Sequence, residues 1–228
     1  MRRKSDGKNI FADKATLILR RMLAQPDHKW VTRDFTRQCG VSLGLAQGVL
    51  ETMSNSGYVE RVKRGPVSYS MLVDKDRLLE DWLQRYRFGV NRIDTYYSPE
   101  NNILPRIKAC LKGKSYALTL HSGANLITSF VLTDHTYFYF SPQDWAEDIL
   151  ELRLKLELKE LVSGGNIHII QPYYRHSVYS GAQTIRGYRV VSNLQLYLDL
   201  YHFQPRGREH AEYLNNVVEE KGRNLYES

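Results

Sequence analysis

The hydrophobic period of residues 12–72 changes once, at Gly57, and that single change leaves few folds open to this part of the chain. Before it, apolar residues recur at helical spacing; after it they alternate. Ala15, Ile18, Leu19, Met22 and Leu23 define a first helix over 12–24, with Asp13 early and Arg20 and Arg21 on the other face. Thr32 can cap a second helix that runs to about Gln38, with Asp34 in its first turn. Cys39, Gly40 and Val41 form a turn, and Ser42 caps a third helix whose Ala46, Val49, Leu50 and Met53 share one apolar face. Gly57 ends that helix, and YVERV and VSYSML then read as two strands around the basic tip Lys63-Arg64-Gly65-Pro66.

Three helices followed by a hairpin is the order of a winged helix-turn-helix, in which the third helix enters the major groove. On that arrangement Gln47 suits an adenine edge, Ser42 a phosphate or base, and Leu43 a thymine methyl. The helix carries no Arg or Lys, so affinity has to come from Lys29, Arg33 and Arg37 around the second helix and from Lys63 and Arg64 in the wing. Gly44 and Gly48 stand inside the third helix at a cost of roughly 0.5–1 kcal/mol each. On its outward side they would let backbone approach a groove closely.

Charge agrees with this division. Residues 1–88 hold 17 Lys and Arg against 10 Asp and Glu, while residues 89–228 hold 15 of each, so the whole net charge of +7 lies in the first part. Double-stranded DNA is the expected partner of such a module, with a protein-interaction module as the alternative. The charged N-terminus leads into no long apolar run, so no membrane span is expected and the protein is expected in the cytoplasm. Cys39 and Cys110 lack metal-ligand spacing and are expected to be small buried hydrophobes; no metal and no cofactor is expected.

Leu78, Leu79, Trp82, Leu83 and Tyr86 make an amphipathic stripe on a connecting helix. The expected organisation is a winged helix-turn-helix domain over 1–73, the connecting helix over 74–90 and an α/β C-terminal domain over 91–228, an α+β chain overall. From Pro99 helices and strands alternate: a helix entered or interrupted at Pro105, strands at SYALTL and TYFYF with the helix SGANLITSFVL between them, and a helix from PQDWAEDILELR. In LRLKLELKEL, Leu152, Leu154, Leu156 and Leu158 alternate with charges, which predicts helix to about Arg153 and strand after it. NIHIIQPYY reads as a strand, SVYSGAQTIRGYRVV as a hairpin, and Ser192 caps a helix that precedes a last one over 207–221.

This half offers one candidate chemistry. Nucleotidyltransferases set a Gly-Ser turn about a dozen residues before paired carboxylates on a strand, because two carboxylates must hold the metal ions of a triphosphate. Ser122-Gly123 precedes Asp134 at that distance, but Thr136 stands where the second carboxylate belongs. A degenerate nucleotidyltransferase-like fold without activity is the expectation, and a metal-dependent enzyme using Asp134 the alternative. Glu157-x-Lys159, His168, Asp199 and His202 read as structural residues, and no catalytic residue is expected.

Three stretches resemble the AbiEi-type antitoxins and related bacterial transcriptional regulators: WVTRDFTRQCGVSLGLAQGVLETMSNSGYVER (Trp30 to Arg61), LLEDWLQRYRF (Leu78 to Phe88) and GYRVVSNLQLYLDLYHFQPRGREHAEYL (Gly187 to Leu214). The resemblance implies an N-terminal winged helix on promoter DNA, often repressing its own operon. It also implies a C-terminal domain that in some members neutralises a nucleotidyltransferase toxin, which makes a cognate toxin a candidate partner of a type IV toxin-antitoxin system. It carries over no catalytic residues. A homodimer is expected only from the habit of such regulators to match palindromic sites.

Overall fold

In the computed structural model, which describes residues 8–64 and 67–227, the chain forms two compact units, Met1–Tyr86 and Arg87–Ser228. Together they make a mixed α+β protein.

The first unit runs α1 (Asp13–Ala24), α2 (Thr32–Gln38), α3 (Leu43–Asn55), β1 (Val59–Arg64), β2 (Val67–Leu72) and α4 (Lys75–Arg85). The apolar faces read from the sequence close on one another: Ile18, Leu19, Met22, Leu23, Phe35, Ala46, Val49, Leu50 and Met53 are all fully buried. Burial of a Leu or Ile side chain contributes about 1.5–3 kcal/mol, so this cluster outweighs the weak helix propensity of α3 with its two glycines. Ser42 Oγ accepts from Leu45 N–H at 3.2 Å and caps α3. Gly57, at φ +79°, turns the chain out of it. Thr32 is not the cap of α2; it is the first helical residue, and the Asp34 carboxylate instead accepts from Val31 N–H at 2.9 Å.

The hairpin pairs Val59 with Leu72 through to Arg64 with Val67. Its inner edge takes one more rung, because Trp30 and Ser70 exchange both backbone hydrogen bonds, at 2.9 and 2.7 Å. Trp30 is thereby buried against Phe35, ring centroids 5.1 Å apart. Tyr58 Oη donates to Asp81 Oδ2 at 2.5 Å, joining the root of the hairpin to α4. Burial, then the Asp81 contact, push the Tyr58 phenol up to about 12.

The second unit opens with a 3-10 turn, Phe88–Val90, and builds a six-stranded mixed sheet. Its elements are β3 (Arg92–Tyr96), α5 (Leu104–Cys110), β4 (Tyr116–Leu118), α6 (Leu120–Thr128), β5 (Thr136–Phe140), α7 (Trp145–Leu156), β6 (Ile167–Gln171), β7 (Gln183–Ile185), β8 (Tyr188–Val190), α8 (Asn193–Tyr201) and α9 (Gly207–Glu220). The strand order is β3-β6-β5-β4-β8-β7; β5 runs parallel to β6 and β4 to β8, and the other neighbours are antiparallel. Phe138, Tyr139 and Phe140 on β5 are all buried, the signature of a central strand covered on both faces. Helices α6, α8 and α9 pack as one group, and α5 packs with α7.

Three expectations change here. The alternating leucines do not form a strand: α7 continues to Leu156, with Leu152 and Leu156 buried and Leu154 exposed, so the burial period is four rather than two. Salt bridges explain the charges, since Lys155 reaches Glu151 one turn back and Lys114 reaches both Asp148 and Glu151. Residues 92–96, to which the sequence pattern assigns no element, form strand β3 at the sheet's edge. Cys39 and Cys110 are free and half-buried rather than fully buried.

Candidate nucleic-acid interface

The surface of α3 divides along its helical period. Ala46, Val49, Leu50 and Met53 face the core, while Ser42, Leu43, Gly44, Gln47 and Glu51 are exposed. Leu43 is 46 % exposed although it is a leucine on a helix that has an apolar core beneath it. The two glycines part company at this surface. A Cβ at Gly44 would meet nothing within 4 Å, so the backbone there is open to whatever approaches. A Cβ at Gly48 would lie 2.8 Å from Lys8 Cγ, so the side chain of Lys8 covers that turn and Gly48 does not offer bare backbone. The open stretch is therefore the first turn and a half of α3, where the helix presents Ser42, Leu43, Gly44 and Gln47.

Cations flank it. Arg33 and Arg37 lie one turn apart on the exposed side of α2, which packs on α3. Among the described residues neither has a carboxylate partner, whereas Arg21 beside them is held by Gln38 at 2.7 Å. Lys29 is exposed and its Nζ sits 5.1 Å from the Tyr69 ring centroid, which places it against β2. The backbone of Lys63 and Arg64 closes β1, but their side chains, and all of Gly65 and Pro66, lie outside the described residues. Of the eight residues selected from sequence, the structure thus places six side chains, three on α3 or its cap, two on α2 and one against the hairpin.

The alternative site in the second unit does not assemble. Asp134 is 83 % exposed at its side chain, with His135 Nε2 3.8 Å from its carboxylate. Thr136, at the position of the missing carboxylate, is buried. Ser122 lies in the first turn of α6 with its hydroxyl engaged, donating to His135 O and accepting from Tyr137 N–H. Gly123 is packed solid, because a Cβ there would meet Leu196, Val190 and the Leu118 carbonyl at 2.9–3.0 Å, so this turn has no room to cradle a phosphate. Among the described residues no three His, Cys, Asp or Glu side chains gather as a metal site.

Polar residues of this unit are tied inward instead. The fully buried Asp199 carboxylate accepts from Thr119 Oγ1, from Tyr139 Oη at 3.0 Å and from Gln195 Nε2 at 2.8 Å. Two histidine pairs bond ring to ring: His135 Nδ1 to His168 Nε2 at 2.7 Å, and His121 Nδ1 to His210 Nδ1 at 2.8 Å. Burial, reinforced by the neighbouring ring, pushes His168 and His210 down to about 4. Spacing alone pointed to none of these partners, which lie up to 89 residues apart.

A family model described as transcriptional regulator, AbiEi antitoxin, type IV TA system matches residues 71–219. The chain belongs to this family. The AbiEi match begins at Met71, within β2, and takes in α4 and the sheet of the second unit; helices α1–α3 precede it. The AbiEi match thus covers α4 and most of the second unit, and the exposed face of α3 lies outside it. Neither the curated proteins nor the solved structures gave a match to the chain. No helix among the described residues is long and apolar enough to cross a membrane.

Proposed function

We propose that this AbiEi family member is a sequence-specific DNA-binding regulator of transcription, a cytoplasmic repressor that serves as the antitoxin of a type IV toxin-antitoxin system. The N-terminal unit acts as a winged helix. Ser42, Leu43 and Gln47 meet base edges in the major groove; Lys29, Arg33, Arg37, Lys63 and Arg64 meet phosphates. What supports the reading is the exposed first part of α3, where Gly44 leaves backbone open near Gln47, together with Arg33 and Arg37 on the α2 that packs on α3, neither of which has a carboxylate partner among the described residues. A reading helix without cations gains specificity from short side chains and close approach, and its affinity from the neighbouring phosphate contacts.

Fluorescence anisotropy with the duplex upstream of the protein's own coding sequence, against a scrambled duplex of equal length, tests this over a salt series. Binding to the natural duplex tighter by about 10³-fold or more is expected. In Arg33→Ala or Arg37→Ala the slope of log K against log salt should shrink by about 0.9 for each phosphate no longer neutralised. Equal affinity for the two duplexes would overturn sequence-specific recognition.

A further inference from the structure

The second unit holds a cavity of about 180 Å³ between α6, β7, the start of α8 and the end of α9. Much of its wall is apolar: Leu126 and Ile127 come from α6, Ile185 from β7 and Val218 from α9. Val218 is buried and the other three are half-buried, so apolar surface remains open to the cavity.

The end of α9 brings charge to this surface. Gly222, at φ +70°, turns the chain out of the helix; its N–H donates to Glu219 O at 2.8 Å, and Arg223 N–H donates to Val218 O at 3.2 Å. These two bonds satisfy terminal carbonyls of α9 without help from a side chain. Lys221 and Arg223, on either side of Gly222, are left to line the cavity. Among the described residues neither has a carboxylate partner. The acids closest in sequence are engaged with amides: Glu219 accepts from Asn215 Nδ2 at 2.9 Å, and Glu227 from Asn224 Nδ2 at 2.6 Å. Two like charges thus share one cavity with no counter-charge.

A third polar group lines the same cavity. Asn193 is 4 % exposed, and Gln183 Nε2 donates to its Oδ1 at 2.7 Å, which fixes the amide. Asn193 Nδ2 reaches only the Glu227 carbonyl, at 3.5 Å, so one of its hydrogens is available to a ligand. We infer that this cavity binds a small monocarboxylic acid, with the carboxylate held by Lys221, Arg223 and Asn193 and the apolar body set against Leu126, Ile127, Ile185 and Val218.

Size and wall chemistry narrow the ligand. Sites for drug-sized molecules run to about 300–1,000 Å³, and a water takes about 30 Å³ of its liquid, so 180 Å³ suits a body of about six to nine non-hydrogen atoms. An arginine guanidinium can donate two parallel bonds to a planar carboxylate. A bare phosphate would leave the apolar walls without a partner, and a neutral molecule of the same shape would leave the two cations without one. The site lies wholly in the second unit and does not rest on the DNA-binding reading of the first.

Ligand-observed NMR titrations of the full-length chain with the straight-chain acids from butyrate to heptanoate, and with benzoate, test the inference. At least one should bind saturably with a Kd below about 1 mM. The amide of that acid should bind about tenfold or more weakly, because charge-assisted hydrogen bonds are about twice as strong as neutral ones, and inorganic phosphate should not displace the acid. Lys221→Gln and Arg223→Gln, both at exposed positions where the fold tolerates change, should each weaken binding by about threefold to tenfold. Leu126→Trp, which fills the cavity, should abolish binding with the far-ultraviolet circular dichroism unchanged; should that variant fail to fold, the two exposed substitutions decide. No saturable binding by any of these acids, equal binding of acid and amide, full displacement by phosphate, or binding indifferent to both Lys221→Gln and Arg223→Gln would each overturn the proposal.

Discussion

His121 and His210, on α6 and α9, share an in-line bond between their Nδ1 atoms at 2.8 Å, with the rings within 8° of parallel. The Pro205 carbonyl, 3.2 Å from His121 Nε2, only accepts, so that nitrogen carries hydrogen. In the neutral pair His121 Nδ1 then accepts from His210 Nδ1–H, and His210 Nε2 accepts from the Thr128 hydroxyl at 2.8 Å. One added proton reverses the chain without breaking it, because Thr128 also reaches Ala124 O at 2.9 Å. A second proton sets two N–H groups against each other.

The pH dependence of stability follows. Burial lowers His121 and brings His210 and His168 down to about 4, below the usual 6.5 of an unfolded chain. The unfolded chain therefore takes up these protons first. Stability is fully present above about pH 6.5 and is lost progressively as pH falls toward 4. Thermal melts between pH 7.5 and 4.5 should show the midpoint falling, by about 2–4 °C for each kcal/mol of stability given up. His210→Gln should start lower and show a shallower fall, and a midpoint flat over that range in the native chain would contradict the assignment of these rings.

Gly44 and Gly48 should respond oppositely to alanine. Gly44→Ala puts its Cβ in open space and removes a helix penalty of roughly 0.5–1 kcal/mol, so the melting point should rise while DNA affinity falls. Gly48→Ala must displace Lys8 and should raise stability less, with DNA affinity nearly unchanged. Parallel melts and binding isotherms separate the two; an equal drop in affinity would mean that Lys8 does not shield the turn.

Gln47 and Arg37 divide base reading from phosphate contact. Gln47→Ala should cost roughly 1–3 kcal/mol on the natural duplex and relax preference at one base pair, leaving scrambled DNA unaffected. Arg37→Ala should weaken both duplexes alike. Competition binding against single-base-pair variants decides the matter, and uniform weakening from Gln47→Ala would remove it from the bases.

Asp199→Ala removes a buried acceptor to which Thr119, Tyr139 and Gln195 all donate. Each unsatisfied group costs about 1–3 kcal/mol, so the second unit should lose several kcal/mol in denaturant titration. Asp199→Asn keeps the shape and should lose less. A neutral Asp199→Ala would show that water replaces the carboxylate.

Much of the first unit was legible because its elements are locally determined: a helical period, a serine cap and a glycine stop are each written within a dozen residues, and α1, α2 and α3 followed them. The edge strand β3 was not, because Arg92 and Asp94 lie beside the α7 groove instead of in a core and break the apolar alternation that marks a strand. In α7 the leucines carried both periods, and tertiary burial chose between them. The candidate interface was readable as a set of side chains, but its extent was not: the cover over Gly48 comes from Lys8, forty residues earlier. The histidine pairs depend on packing of α6 against α9 and of β5 beside β6, which no local pattern encodes.

The carboxylate of Asp199 also bears on how this fold varies among relatives. Thr119, Tyr139 and Gln195 come from three separate elements or their boundaries and converge on it, so replacing any one removes a hydrogen bond from a buried carboxylate. Positions 119, 139, 195 and 199 are therefore expected to change together or not at all across evolution. That joint inheritance would mark descent more sharply than the hydrophobic pattern around it, which many sequences can satisfy.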